Sequence, residues 1–183
     1  MPYIGAGLTR FNTADELTVT GTSEFNNTIT ATTADNEPQL IIKSTDADAS
    51  GGPEIELFRE SASPADDDAL GKIQFKGKND AAETVNYGEV NTVISDASDG
   101  TEDGELRLQV KRGGTTRTGL SLGPTETVFN DSSKDIDFRI ESNGNANMLF
   151  VDATNDRIGI GTNSPSDVLE VNGDIRVSNA IES

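Results

Sequence analysis

Apolar positions along this chain recur with a period of two, in short runs. KIQFK at 72–76 sets Ile73 and Phe75 on one face, and ELRLQVK at 105–111 sets Leu106, Leu108 and Val110 against Arg107 and Gln109. EIELF at 54–58, LTVT at 17–20 and DIDFRIE at 135–141 alternate in the same way. Such runs predict half-buried antiparallel strands, with Leu106, Leu108 and Val110 facing inward. LII at 40–42 and MLFV at 148–151 are continuous apolar runs and predict strands covered on both faces. SGGP at 50–53, SDG at 98–100, RGGT at 112–115, SNGN at 142–145 and NGD at 172–174 supply reversal chemistry between the runs. No window of helical length keeps apolar residues at i, i+3, i+4 and i+7. The expected class is all-β.

Composition sharpens this picture. Only 33% of the 183 residues are hydrophobic, and Gly accounts for 18 more. Many strands with so few core residues predict a chain that completes its core with partner copies, an obligate oligomer. Three segments are expected: an extended, Thr- and Asn-rich attachment segment at 1–36, a compact β domain at 37–123, and a second β segment at 124–183. Pro38 and Pro124 fall near the two boundaries.

Charge and missing residue types narrow the function. Lys and Arg total 14 against 32 Asp and Glu, a formal net charge of -18. That balance argues against nucleic acid and anionic membrane surfaces as partners. No apolar run approaches the ~20 residues of a membrane span. The absence of Cys and His removes thiol nucleophiles, disulfides, ordinary zinc sites and a Ser-His relay. The N-terminus carries no signal-peptide pattern, so the expectation is a soluble protein made in a reducing cytoplasm. No cofactor is expected: GIGTNS at 159–164 lacks the third Gly of a dinucleotide loop, and neither Gly-Lys pair precedes Ser or Thr.

Asp96, Asp99, Glu102 and Asp103 are the candidate metal ligands, a density of hard oxygens suited to Ca2+. They do not follow the EF-hand pattern, and the plainer reading is a solvated acidic loop. Asp66, Asp67 and Asp68 read as an exposed turn. Lys111, Arg112 and Arg117 form the basic concentration beside Gly113 and Gly114, read as a hairpin whose charges pair with acids on neighbouring chains. Paired carboxylates raise glycosidase chemistry as a rival, but sugar clefts use aromatic platforms and this chain has no Trp and two Tyr. No catalytic residue is assigned.

The stretch from Ala146 to Val177, with LFVDATNDRIGIGTNSP followed by LEVNGDIR, resembles a segment of bacteriophage tail fibres and related virion appendages. The central ELFRESASPADDDALGKIQFKGKNDAAETVNYGEV and DGELRLQVKRGGT resemble a β module of phage fibres. The N-terminal MPYIGAGLTRFNTADELTVTGTSEFN is similar to the starts of fibres from phages of aquatic bacteria. The resemblance implies an elongated homotrimeric fibre, with a β-sandwich-like middle domain and an intertwined β stem or tip. The N-terminal segment would dock on other virion proteins, and host polysaccharide or a receptor would be the outer contact. The place of action would be the virion, assembled in the host cytoplasm. A chaperone domain often follows the NGDIR motif in that family, whereas this chain runs only to Ser183; the expectation is a short fibre or an adaptor. A capsid decoration or baseplate protein is the alternative, and a polysaccharide depolymerase spike a third reading. The physical pattern agrees: Ile158 and Ile160 alternate with Gly159 and Gly161, which suits strands crowding at a shared axis.

Overall fold

A computed structural model describes residues 22–176. The chain divides into two units, Met1–Ile55 and Glu56–Ser183. The expected strand at 17–20 and most of the expected attachment segment lie outside the described residues.

In the first unit the described residues form neither strand nor helix, and all are exposed. The predicted strand at 40–42 is therefore absent, and Leu40 and Ile41 are 74% exposed rather than covered on both faces. Among the described residues of this unit the run finds no hydrogen-bonding partner strand, so its backbone has no ladder to join there. Local side-chain bonds shape the following stretch instead. Asp46 N donates to Ser44 Oγ, Asp48 N to Asp46 Oδ1 and Ser50 N to Asp48 Oδ1, a succession of turns each spanning two residues.

Among its described residues the second unit carries nine strands and no helix. A five-stranded antiparallel meander comprises β1 (Ala69–Lys78), β2 (Thr84–Asp96), β3 (Asp103–Arg112), β4 (Thr115–Leu122) and β5 (Thr127–Phe129). Gly113 and Gly114, at φ 54° and 77°, make the two-residue hairpin between β3 and β4. Positive φ at both positions is what a hairpin of this length demands. A second sheet comprises β6 (Phe138–Ile140), β7 (Leu149–Asp152), β8 (Arg157–Ile160) and β9 (Leu169–Val171). Its last pair, β8 with β9, is parallel. EIELF at 54–58 is not a strand; Leu57 lies beside Gly71 of β1, and Ile55, Leu57 and Phe58 stay exposed.

Strand register places one apolar residue from each strand in a single row. Ile73 opposes Val90, Val90 opposes Leu108, Leu108 opposes Leu120, and Leu120 opposes Phe129. Phe129 stacks on Phe138 with ring centroids 4.8 Å apart. Phe138 opposes Val151, Val151 opposes Ile158, and Ile158 opposes Leu169. Residues directly opposite in a ladder share a face, so this apolar row crosses all nine strands and both sheets. The described residues cover it only in part: Val90, Leu120, Phe138 and Val151 are half-buried, whereas Ile73 is 51% exposed, Phe129 54% and Leu169 57%.

The other face of the five-stranded sheet is the better covered one, and it is polar. Glu89, Asn91, Thr118 and Ser121 are buried beside Val93. Leu106, Leu108 and Val110 do share a face opposite Arg107 and Gln109, as alternation requires. The expected inward direction fails for Leu108 and Val110, which are exposed, while Leu106, Arg107 and Gln109 are half-buried. The physical reason is that the polar side chains hydrogen-bond across the strands, and residues beyond β5 fold back onto β4. Thr118 N donates to Ser132 Oγ, and Asn130 N to the Gly119 carbonyl.

Candidate functional site

Two surfaces of the second unit are candidates: the polar face of the meander and the motif-bearing turns of the second sheet. On the polar face, Glu89 is the hub of one cluster. Its carboxylate accepts from Gln74 Nε2 at 3.1 Å and Asn86 Nδ2 at 2.7 Å, with Lys72 Nζ at 3.9 Å. These partners, the Gln74 amide foremost, hold the Glu89 carboxyl below the usual range although burial opposes them. Glu105 centres a second cluster. Arg107 reaches it from two residues along β3 through Nε at 2.8 Å, and Ser121 Oγ donates from β4. The Arg107 hydrogen bonds are the main reason that the Glu105 carboxyl sits low. Gln109 Nε2 donates to Thr118 Oγ1 at 2.9 Å. The face is a closed polar fabric, with the buried Asn86 Oδ1 and Asn91 Oδ1 its atoms lacking partners.

The four acidic metal candidates are split. Asp96, Glu102 and Asp103 rim a hollow of about 400 Å³ whose floor includes Pro64, Leu70 and Ile94, and Asp99 does not line it. The Asp96 carboxylate is engaged locally: Oδ1 accepts from Ser98 N at 2.8 Å and Oδ2 from Thr101 Oγ1 at 3.2 Å. The Ser98 amide is the chief cause of its lowered pKa. Backbone amides likewise hold Glu102 low. Among the described residues, no group of three or more acids is placed to hold a metal ion. Asp66 and Asp68 serve turns, Asp66 Oδ1 accepting from Ala97 N and Asp68 pairing with Arg59 at 3.0 Å.

The basic concentration is also divided. Arg117 opposes Val110 and so lies on the apolar face, whereas Lys111 opposes Thr116 on the polar one. Arg112 Nη2 donates to the Asp135 carbonyl at 2.6 Å, a bond within the chain. Tyr87 is exposed and lies beside Gly77.

In the second sheet, the polar residues of the LFVDATNDRIGIGTNSP motif build turns. Asp152, buried at the end of β7, accepts from Thr154 N and Asn155 N, both at 3.0 Å, and from Asn155 Nδ2 at 2.8 Å. Asn155 is the leading cause of its low pKa. Arg157 Nη1 donates to the Pro165 carbonyl at 2.7 Å, tying the 161–168 connection to β8. Glu170 accepts from Ser166 N at 2.7 Å and Ser166 Oγ at 2.9 Å. Gly159 is required because a Cβ there would sit 2.3 Å from the Thr162 carbonyl oxygen. Gly161 adopts φ +75° against Asn172. The crowding that these glycines relieve thus arises inside one chain, from the tight return that makes β8 and β9 parallel. The side chains with the strongest chemistry in this motif are consumed by its own turns. Of its apolar side chains, Ile158 and Ile160 remain exposed, beside the exposed polar residues Asp156, Asn163 and Ser164.

Compared with known proteins, the chain matches no family model and no curated protein.

Sequence reasoning missed the apolar row as a continuous object. The signal was present in part, since Ile73, Leu108, Phe138, Ile158 and Leu169 each stood in an alternating run. Their alignment depends on registers and on the Phe129–Phe138 seam, which no local pattern states.

Proposed function

We propose that this chain is a structural protein of a tailed-bacteriophage particle: a short homotrimeric tail fibre or fibre-like appendage without turnover chemistry. One observation carries the reading. Among the described residues, Val93 and Phe150 are the only buried hydrophobics, and no large side chain is fully buried. A sheet this thinly covered lacks the second layer that an independent domain needs, and identical copies are the partners that every synthesis supplies in equal number. The fibre-like strings from Ala146 to Val177 and through the central segment add the particle as the setting. In this reading residues 1–36 dock on another virion protein, residues 37–123 form the sandwich-like middle, and residues 124–183 form the stem or tip. The appendage positions or presents contacts to host polysaccharide or a receptor.

The test is the native mass of the purified protein by light scattering, followed by gold-labelled antibody on the particles that carry it. A mass three times 19.3 kDa with label on the tail is the expected result. Label on the capsid or baseplate would assign the decoration or baseplate alternative. Release of reducing sugars from host polysaccharide would assign the depolymerase. A monomer would overturn the reading.

A further inference from the structure

We infer that the apolar row running from Ile73 through Leu108, Phe129 and Ile158 to Leu169 is the surface on which copies of this chain pack together, so that the row of each copy meets the rows of the others. The inference rests on the oligomeric reading above and gives it an interface.

Charge is the first argument. The chain carries 32 carboxylate residues and a net charge of -18, so copies repel wherever acids face one another. No residue of the row is charged, and within the strands the residues two positions to either side of it carry no carboxylate; Asp131, Asp156 and Asp167 stand two positions away just outside β5, β8 and β9. Along the part of this line that runs within the strands, copies therefore approach without stacking acids in a medium of low dielectric.

Area is the second. Ten side chains on or beside the row, each about half exposed, offer on the order of 900 Å² of apolar surface, against ~800 Å² per partner in a standard interface. The row is also continuous across two sheets, through the Phe129–Phe138 contact. A small ligand would meet a concavity. This is a strip of cross-strand pairs, matched in length by an identical strip.

The chain contains no Cys, so a single introduced thiol reports on one position. Leu108→Cys and Ile158→Cys test the row, one in each sheet. Thr116→Cys, exposed on the opposite face of β4, is the reference. The full chain is treated with a maleimide after light scattering shows that each variant keeps the native mass. The expected result is labelling of Leu108→Cys and Ile158→Cys at least tenfold slower than Thr116→Cys, with the difference abolished in denaturant. Equal labelling in an oligomer would overturn this interface and leave the oligomeric reading standing. Slow labelling in a monomer would mean that the chain's own residues cover the row, and both would fall. Fast labelling in the purified oligomer but protection on the particle would assign the row to a different virion protein and overturn the inference.

Discussion

Phe129 and Phe138 meet with their ring planes tilted by 42° and their centroids 4.8 Å apart, one at the end of the meander and the other at the start of the second sheet. Tilted aromatic pairs contribute about 0.5–1.5 kcal/mol beyond their area. In a double-mutant cycle of Phe129→Ala and Phe138→Ala, denaturant unfolding is expected to give a coupling energy of about that size. Strict additivity would show that the seam does not join the sheets.

The glycines of the β8–β9 return separate by what surrounds them. Gly159→Ala drives a Cβ to 2.3 Å from the Thr162 carbonyl oxygen, so the backbone must move, at a cost of about 3 kcal/mol or more. Gly161→Ala holds an L side chain at φ +75° and 3.0 Å from the Asn172 carbonyl oxygen, costing about 1–3 kcal/mol. Gly144→Ala meets nothing within 4 Å and is expected to stay within ~0.5 kcal/mol of the parent. Thermal unfolding of the three variants checks the order.

Acid is expected to weaken the meander through Glu105. Its carboxyl titrates below 4.5 in the folded chain because Arg107 and Ser121 hydrogen-bond to the ionised form. The folded state therefore binds fewer protons than the unfolded state across that window. The contribution is complete above the ordinary value and is lost as pH falls through the lowered one. Stability of the parent measured by urea unfolding should fall below about pH 4.5. Glu105→Gln should start lower and fall less steeply. An unchanged slope would mean that the Glu105 contacts do not form in solution.

Asn91 opposes Lys72 and Arg107 on the polar face, is 7% exposed, and leaves its Oδ1 without a partner. An unmet buried acceptor costs about 1–3 kcal/mol, and a β-branched apolar residue suits a strand centre. Asn91→Val is expected to raise stability by about 1 kcal/mol, read as a higher guanidinium midpoint. A loss would indicate that the amide has a hydrogen-bonding partner in solution.

A continuous apolar run located β7. Alternation located β1, β3, β6 and β8, where apolar residues recur at every second position. It passed over β2 and β4 for identifiable reasons. In β2 the slots opposite Leu106 and Gly71 hold Thr92, which carries no apolar signal, while Val93 and Ile94 stand side by side on opposite faces. In β4 a register shift at Gly119 puts Thr118 and Leu120 out of phase, so the period breaks mid-strand. EIELF and LII have strand-forming composition but no partner strand among the described residues, and pairing is a property of two segments rather than one. Of the candidate site residues, the grouping of Asp96 with Glu102 and Asp103 follows from their flanking a single turn. The division of Lys111 from Arg117 between faces was hidden, since it depends on the hairpin register.

The exposure of Leu108 and Val110 in the meander has a consequence for anyone altering this protein. Exposure in the single chain ceases to be a guide to which positions tolerate change. A solubility-minded redesign would replace Leu108, Val110 and Ile73 with Lys or Glu as surface liabilities, and would preserve Glu89 and Ser121 as interior. On the reading given above, such a redesign would improve the behaviour of an isolated subunit while removing the surface by which subunits find one another.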